Sequence, residues 1–356
     1  MKKNKLLIIQ SDPFGYLTDS LKWCEYLKEK YEVTVICQNT KKEKPTTNGF
    51  HVKYLKSFGN RQMRGLLFVI QCLLNIALFK GTILIIYFEH CNIFKLIFPW
   101  KKMIVDIRTL SISPNFKLRQ EADVQLAKDI QTFDKISIIS LKLAKRLSIP
   151  ANCKTPIYEL PLGADIIEFQ NKDYSQLKLL YVGALFGRDI DKTIIGVSAF
   201  LKKHPDTTLE YTVIGKERHN EIHDLKQLTR KLGIESYINF IPGLPHSQLT
   251  EYFKSCNIGV SFIPMTEYYN FQPPTKTFEY ILAGMICLAT NTESNKDIIT
   301  TQNGILHNDT AEDFANALEY VSAHISDYNP HAIQNSLTNY SWKNIVNNIL
   351  VPIIET

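Results

Sequence analysis

Residues 177–192 read LKLLYVGALFGRDIDK, and this stretch decides the fold class. An apolar run of strand length, residues 177–182, ends at Gly183, and apolar residues with helical spacing follow over residues 190–203. The same order of strand, glycine and helix recurs at residues 210–214 with Gly215 and at residues 238–240 with Gly243. Strands that alternate with helices predict an α/β domain built on a parallel sheet.

The first half of the chain repeats this alternation. A helix is predicted over residues 17–30, and residues 41–49 are polar and are predicted to form a loop. Strands are predicted at residues 5–10, 32–38, 52–55, 82–87, 102–106 and 135–140. We therefore expect a second parallel α/β domain, with the boundary near residues 163–178, where polar residues replace the periodic apolar ones.

Composition agrees with a chain of two globular domains. The 356 residues are 45% hydrophobic and 21% charged, which argues against disorder. Seven cysteines without a close pair argue against a zinc site or a disulfide framework and fit the reducing cytoplasm. The basic start is followed by only four apolar residues, 6–9, which are too few for the core of a signal peptide.

Charge is divided unevenly between the halves. Residues 1–165 carry 26 Lys and Arg against 14 Asp and Glu, whereas residues 166–356 carry 15 against 21. A basic first half suits an anionic acceptor or an anionic membrane surface, and a generic solubilising surface is the alternative. The basic residues are not interleaved with aromatic ones as in known nucleic-acid modules, so nucleic acid is not an expected partner.

Within residues 61–80, the run 66–79 is apolar except for Gln71 and Asn75, and it is too short for a membrane span of about 20 apolar residues. One interpretation is a buried helix. The other is an interfacial helix, with Arg61, Arg64 and Lys80 at the level of lipid headgroups.

The glycines that follow the strands favour a phosphate site. In open α/β sheets ligands bind beyond the carboxyl ends of the strands, where a glycine lets a phosphate approach the backbone. Gly15, Gly183, Gly215 and Gly243 all occupy such positions. Arg188 and Lys192 follow Gly183 and carry the charge to stabilise a leaving diphosphate, unless they pair with Asp189 and Asp191 on a solvated helix start.

The segment 273–290, PPTKTFEYILAGMICLAT, carries further candidates. Two prolines favour a helix start, and Gly284 favours its end. Glu279 is placed to accept hydrogen bonds from the vicinal hydroxyls of a ribose, while Lys276 and the first N–H groups, beginning at Thr275, are placed to face phosphate. The alternative for Glu279 is an ordinary exposed helix residue.

This segment resembles the signature of the family 4 (group 1) glycosyltransferases, Lys-x-Phe/Tyr-Glu-Tyr-x-x-x-Gly. Two other stretches are similar to that family, Leu160-Pro161-Leu162-Gly163-Ala164-Asp165 and Leu179-Leu180-Tyr181-Val182-Gly183. The resemblance covers residues 155–323 well and the N-terminal half in outline. One departure is Phe271, which stands where the family has the first glutamate of its Glu-x7-Glu motif; Glu267 and Gln272 are the candidate substitutes.

The resemblance implies a GT-B fold: two Rossmann-like domains with parallel sheets facing across a cleft, with no essential metal. It implies an N-terminal acceptor-binding domain at 1–165, a C-terminal nucleotide-sugar-binding domain at 166–335, and a C-terminal helix at 336–356 packing back on the N-terminal domain. Glu279 would bind the nucleotide ribose. Arg188 and Lys192 would bind the diphosphate, and Gly15 would border the donor's phosphates.

Two more candidates follow strands of the first half. His90 stands where the family often places a functional histidine, and it is the candidate catalytic group beside Arg188; burial is the alternative. Residues 106–109, which include Asp106 and Arg108, are also expected to face the cleft.

We therefore expect a cytoplasmic glycosyltransferase, mainly retaining by family, that takes a UDP- or GDP-sugar as donor without a bound cofactor. The expected acceptor is a glycan or a lipid-linked glycan in surface polysaccharide biosynthesis, with contact to the inner membrane surface. The alternatives are a nucleotide-sugar epimerase on the same fold and a non-catalytic scaffold subunit.

Overall fold

The computed structural model describes residues 3–40, 44–56, 58–147, 149, 153–170 and 172–356. Residues 1–2 of the basic start and residues 41–43 of the predicted loop lie outside the described residues. The chain divides into two units: unit 1 is Met1–Leu162 with Trp342–Thr356, and unit 2 is Gly163–Ser341.

Within the described residues, unit 1 contains a parallel sheet in the order β3-β2-β1-β4-β5-β6-β7. Its strands are β1 (Asn4–Ile9), β2 (Tyr31–Gln38), β3 (His51–Leu55), β4 (Thr82–Ile86), β5 (Met103–Ile107), β6 (Lys135–Ile138) and β7 (Ile157–Glu159). The central strands β1 and β4 are apolar and buried, as expected when helices cover both faces of a parallel sheet. The predicted parallel sheet is confirmed.

Helices connect these strands: α1 (Thr18–Leu27), α2 (Arg61–Leu78), α3 (Ile93–Ile97), α4 (Phe116–Asp129) and α5 (Leu141–Arg146). The sequence pattern did not predict α3 or α4. In α4 the buried positions include Arg119 and Asp129, so the helix lacks a continuous apolar stripe.

Helix α2 is only half buried, so the interpretation as a buried helix is wrong for one of its faces. Phe68, Cys72 and Ile76 pack into unit 1. The opposite face exposes large apolar side chains at intervals of four residues, at Leu66, Ile70, Leu74 and Leu78. No helix among the described residues is long and apolar enough to cross a membrane.

Unit 2, over its described residues, has a second parallel sheet in the order β10-β9-β8-β11-β12-β13. Its strands are β8 (Leu177–Ala184), β9 (Leu209–Lys216), β10 (Ile238–Pro242), β11 (Ile258–Ser261), β12 (Ile286–Thr290) and β13 (Gly304–His307). Its helices are α6 (Ile190–Lys203), α7 (Glu221–Leu232), α8 (Thr250–Ser255), α9 (Thr275–Leu282), α10 (Ala311–His324) and α11 (Pro330–Ser336). Both sheets have the strand order of Rossmann-like domains.

The end of the chain is helical and belongs to unit 1. It runs through α12 (Trp342–Ile345), a π-helical turn (Val346–Leu350) and α13 (Val351–Glu355). Pro352 explains the wider turn, because proline has no N–H and its ring crowds the carbonyl four residues earlier. The segment is tied to unit 1 by Lys135, whose Nζ donates to the carbonyl of Ile353 at 2.8 Å.

Candidate active site

The glycines of unit 2 meet at one edge of its sheet. Gly183 pairs with Gly215 in β9, and Gly215 in turn pairs with Pro242, which precedes Gly243. Gly183 has φ of 155°, and a Cβ there would stand 3.0 Å from Nζ of Lys276. Neighbouring side chains leave no room for a Cβ at the other two glycines. A Cβ at Gly215 would collide with Leu185, and a Cβ at Gly243 would collide with Lys216.

Lys276 places an ammonium group at this edge. It lies in the first turn of α9, which begins at Thr275. Its Nζ is buried, has no hydrogen-bond partner among the described residues, and lies 3.8 Å from the ring centroid of Tyr181. Burial lowers the pKa of Lys276 well below its usual value; the charge of Arg188 lowers it further, while Glu279 acts in the opposite direction.

Arg188 provides a second cation. Its guanidinium lies 4.3 Å over the ring of Tyr269, and one terminal nitrogen is buried without a hydrogen-bond partner among the described residues. Lys192 differs, because its Nζ is 3.0 Å from Asp189 and that hydrogen bond raises its pKa. Lys192 therefore follows the alternative interpretation, in which the side chain pairs with Asp189.

Glu279 lies one turn beyond Lys276 in α9, with 16% of its side chain exposed. Its Oε1 is 3.3 Å from Nε2 of His246, which stands on the connection after β10. No sequence pattern points to His246, because a histidine in a polar connection has no distinctive pattern.

The segment around Phe271 is held by hydrogen bonds within itself and to the loop that follows β12. Asn270 accepts a hydrogen bond from the N–H of Glu293 at 2.9 Å. Gln272 donates its amide to the carbonyl of Tyr268, and Glu267 is exposed. The amide of Gln272 is thus engaged inside the loop.

His90 belongs to unit 1 and follows β4. Its side chain is 67% exposed, so the alternative of burial is wrong. Its backbone φ is 63°, a conformation that residues other than glycine rarely adopt. The backbone N–H of His90 donates to Oδ2 of Asp129 at 2.8 Å. Gly15, also in unit 1, has φ of 85° in a tight turn, where a Cβ would collide with Pro45.

Asp106 and Arg108 form part of a buried cluster in unit 1, so their predicted exposure to a cleft is wrong. Arg108 Nε donates to Asp19 at 2.7 Å, and Ser137 donates to Asp106 at 2.6 Å. Burial raises the pKa of Asp106 to about 6, although Arg108 and the Ser137 hydroxyl oppose this shift.

No cluster of three or more His, Cys, Asp and Glu side chains that would suit a metal ion occurs in the described part of the chain. A reaction without a metal stays a prediction.

Comparison with solved structures places this architecture among GT-B proteins. Sucrose-phosphate synthase from Thermosynechococcus elongatus is 14% identical, with 99% of this chain and 98% of that chain covered and a TM-score of 0.74. WaaG, a glycosyltransferase involved in lipopolysaccharide biosynthesis, is 15% identical, with 98% and 99% covered and a TM-score of 0.70. HepE from Anabaena, in complex with UDP and glucose, is 11% identical, with 98% and 99% covered and a TM-score of 0.72.

These similarities show the GT-B fold that the sequence predicted. Residues 176–324 match the family model described as glycosyl transferases group 1, and they include Arg188, Lys276 and Glu279. The segment 176–324 is thus similar to glycosyl transferases group 1, and the chain has the GT-B fold. A comparison with curated protein sequences found no match.

Proposed function

We propose that this protein is a glycosyltransferase that takes a UDP- or GDP-sugar as donor and transfers the sugar to a glycan or lipid-linked acceptor, with retention and without a metal. The observation that carries the donor site is a pair of buried nitrogens, on Arg188 and Lys276 at the carboxyl edge of the unit 2 sheet, that have no hydrogen-bond partner within the part of the chain that the structure describes. A buried cationic group that makes no hydrogen bonds is costly, and a diphosphate supplies both the acceptor oxygens and additional negative charge.

The rest of the donor fits the neighbouring groups. The Glu279 carboxylate accepts hydrogen bonds from the ribose hydroxyls once the His246 side chain has moved away from it. As the sugar leaves, negative charge grows on the diphosphate, and Arg188 and Lys276 stabilise it. The complex of HepE with UDP and glucose supports a uridine nucleotide as the first donor to test.

Binding measurements test the donor site. Titration with UDP-glucose, GDP-mannose and the free nucleotides is expected to raise the melting temperature of the wild type for at least one of them. Lys276→Met keeps the length of the side chain and removes the charge, and we expect roughly tenfold weaker binding or more. Lys192→Met is the matched control, because its ammonium already pairs with Asp189.

Three outcomes separate the proposal from its alternatives. The absence of binding by any nucleotide sugar would support a scaffold subunit. Conversion of the nucleotide sugar without an acceptor would support an epimerase. Equal affinity of wild type and Lys276→Met for the nucleotide sugar would show that Lys276 does not contribute to the donor site.

We also propose that the protein meets its acceptor at a cytoplasmic membrane surface, which helix α2 contacts. The exposed apolar face of α2, at Leu66, Ile70, Leu74 and Leu78, is flanked by the exposed cations Arg61, Arg64 and Lys80. An apolar face bordered by cations favours binding to anionic headgroups and suits the lipid-linked acceptors of surface polysaccharide synthesis.

Cosedimentation with vesicles tests this surface. Wild type is expected to bind phosphatidylglycerol vesicles more strongly than phosphatidylcholine vesicles, and Ile70→Asp with Leu74→Asp is expected to abolish binding. Because both residues are exposed, the double variant is expected to fold normally. Equal binding of wild type and the double variant would exclude the α2 face as the membrane contact.

A further inference from the structure

A hydrogen-bonded network in unit 1 surrounds the turn that carries His90. Asp129, at the end of α4, is 1% exposed. Its Oδ2 accepts hydrogen bonds from the His90 backbone N–H at 2.8 Å and from the Tyr87 hydroxyl at 3.1 Å. The left-handed backbone of His90 costs energy in a residue with a Cβ, and such a conformation persists only where its surroundings hold it. Asp129 supplies that restraint.

The same carboxylate fixes the orientation of a neighbouring amide. Gln125, one turn earlier in α4, has its Nε2 at 2.7 Å from Oδ1 of Asp129. The nitrogen of the Gln125 amide donates this hydrogen bond and a carboxylate oxygen accepts it, so the nitrogen of the amide, and not its oxygen, faces Asp129.

The amide orientation in turn determines the tautomer of His90. Nε2 of Gln125 carries a second hydrogen, and it lies 3.3 Å from Nδ1 of His90. Nδ1 therefore accepts, and in the neutral ring the proton resides on Nε2. The surroundings of Nε2 agree, because Oε1 of Glu89 lies 3.6 Å from it and offers an acceptor.

We propose that Asp129 and Gln125 are positioning residues that present His90 to the acceptor as a neutral Nε2–H donor. This inference rests on the proposed function, because the receiving group is an oxygen of the bound acceptor. In this state Nε2 cannot take a proton from an acceptor hydroxyl, so His90 acts by donating a hydrogen bond and not as a general base. Glu89 lies 3.6 Å from the same nitrogen, beyond hydrogen-bond distance, so Nε2–H is available to an acceptor oxygen.

The tautomer can be measured directly. Nitrogen-15 NMR of the histidine rings in the full-length protein at pH 8.5 is expected to show His90 with the proton on Nε2, the signal being assigned by its absence in His90→Asn. In Gln125→Leu we expect a mixture of the two tautomers. Gln131→Leu is the matched control, because the Gln131 amide donates to the carbonyl of Ala127.

Kinetics supply the second readout. Loss of one orienting hydrogen bond in Gln125→Leu is expected to lower kcat for sugar transfer roughly fivefold, with KM for the nucleotide sugar unchanged. A wild-type proton on Nδ1, or an unchanged tautomer or kcat in Gln125→Leu, would overturn the inference. Failure of every nucleotide sugar to bind wild type would instead refute the proposed function, and with it the substrate role of His90.

Discussion

The ammonium of Lys276 stands 3.8 Å from the ring centroid of Tyr181 and has no hydrogen-bond partner among the described residues. An aromatic face stabilises a cation, but it does not replace the hydrogen bonds that the ammonium makes in water. The group is thus only partly stabilised in the protein without ligand, and the charge of Arg188 adds repulsion. A diphosphate would relieve both effects at once.

The first prediction concerns protons that accompany nucleotide binding. Because burial and Arg188 lower the pKa of Lys276, an anion bound beside it is expected to raise that pKa again, so binding takes up a proton. Calorimetric titration with UDP in two buffers of different ionisation enthalpy measures this uptake. Lys276→Met is expected to remove it, whereas uptake that persists in this variant would point to another group.

The same lysine predicts a dependence of stability on pH. In the window between the lowered pKa of Lys276 and the ordinary value of lysine, the unfolded chain binds more protons than the folded one. Wild type is therefore expected to gain stability relative to Lys276→Met as pH rises through this window. Urea unfolding at several pH values measures the difference, and a difference that stays constant would show that the ammonium is already compensated.

Sequence patterns were sufficient for the parallel sheets and for part of the donor site. Gly183 and Gly215 follow apolar strands of one domain, and the carboxyl ends of parallel strands share an edge, so their approach is dictated by the fold. Lys276 and Glu279 could be identified because both lie in a helix whose sequence resembles the group 1 glycosyltransferase signature. Their roles toward a nucleotide stay predictions.

Other features depend on tertiary packing that no local pattern encodes. Helix α4 was missed because it buries Arg119 and Asp129, and the network of Gln125 and Asp129 was missed with it. In α2 the sequence showed apolar residues all around the helix. Only the packing of Phe68, Cys72 and Ile76 reveals which face of the helix is buried in unit 1 and which face is left exposed.

Asp106 is expected to change the stability with pH in the direction opposite to that expected for Lys276. Burial raises its pKa to about 6, so between the ordinary pKa of aspartate and this value the folded protein binds more protons than the unfolded chain. Wild type is expected to lose stability relative to Asp106→Asn as pH rises toward 6, with a constant difference above that. Thermal unfolding of both proteins measures this, and a rise in relative stability over the same interval would contradict the buried position of Asp106.

Paired variants of His90 separate its backbone from its ring. Glycine adopts φ of 63° freely, so His90→Gly is expected to be more stable than His90→Ala by about 1 kcal/mol. Both variants lack the imidazole, and both are expected to lose sugar transfer to a similar degree. Chemical denaturation and product formation supply the two measurements. Transfer that survives in His90→Gly alone would mean that the turn matters and the ring does not.

Tyr269 offers the last prediction, because its ring supports Arg188. The guanidinium lies 4.3 Å over that ring, in the segment where Phe271 replaces the family's first glutamate. Tyr269→Phe keeps an aromatic face and is expected to bind UDP as wild type does. Tyr269→Leu removes the face, and the loss of a cation–π contact is expected to weaken binding by roughly threefold to tenfold.

Calorimetric Kd values for UDP test this pair of variants. If Tyr269→Phe lost affinity to the same degree as Tyr269→Leu, the hydroxyl would be the functional group and the stacking argument would be wrong. If neither lost affinity, Arg188 would be held by its own turn, whose next residue Asp189 has φ of 51°. Weaker binding in Tyr269→Leu alone would show that this segment orients Arg188, the cation proposed to bind the diphosphate, even without a glutamate at position 271.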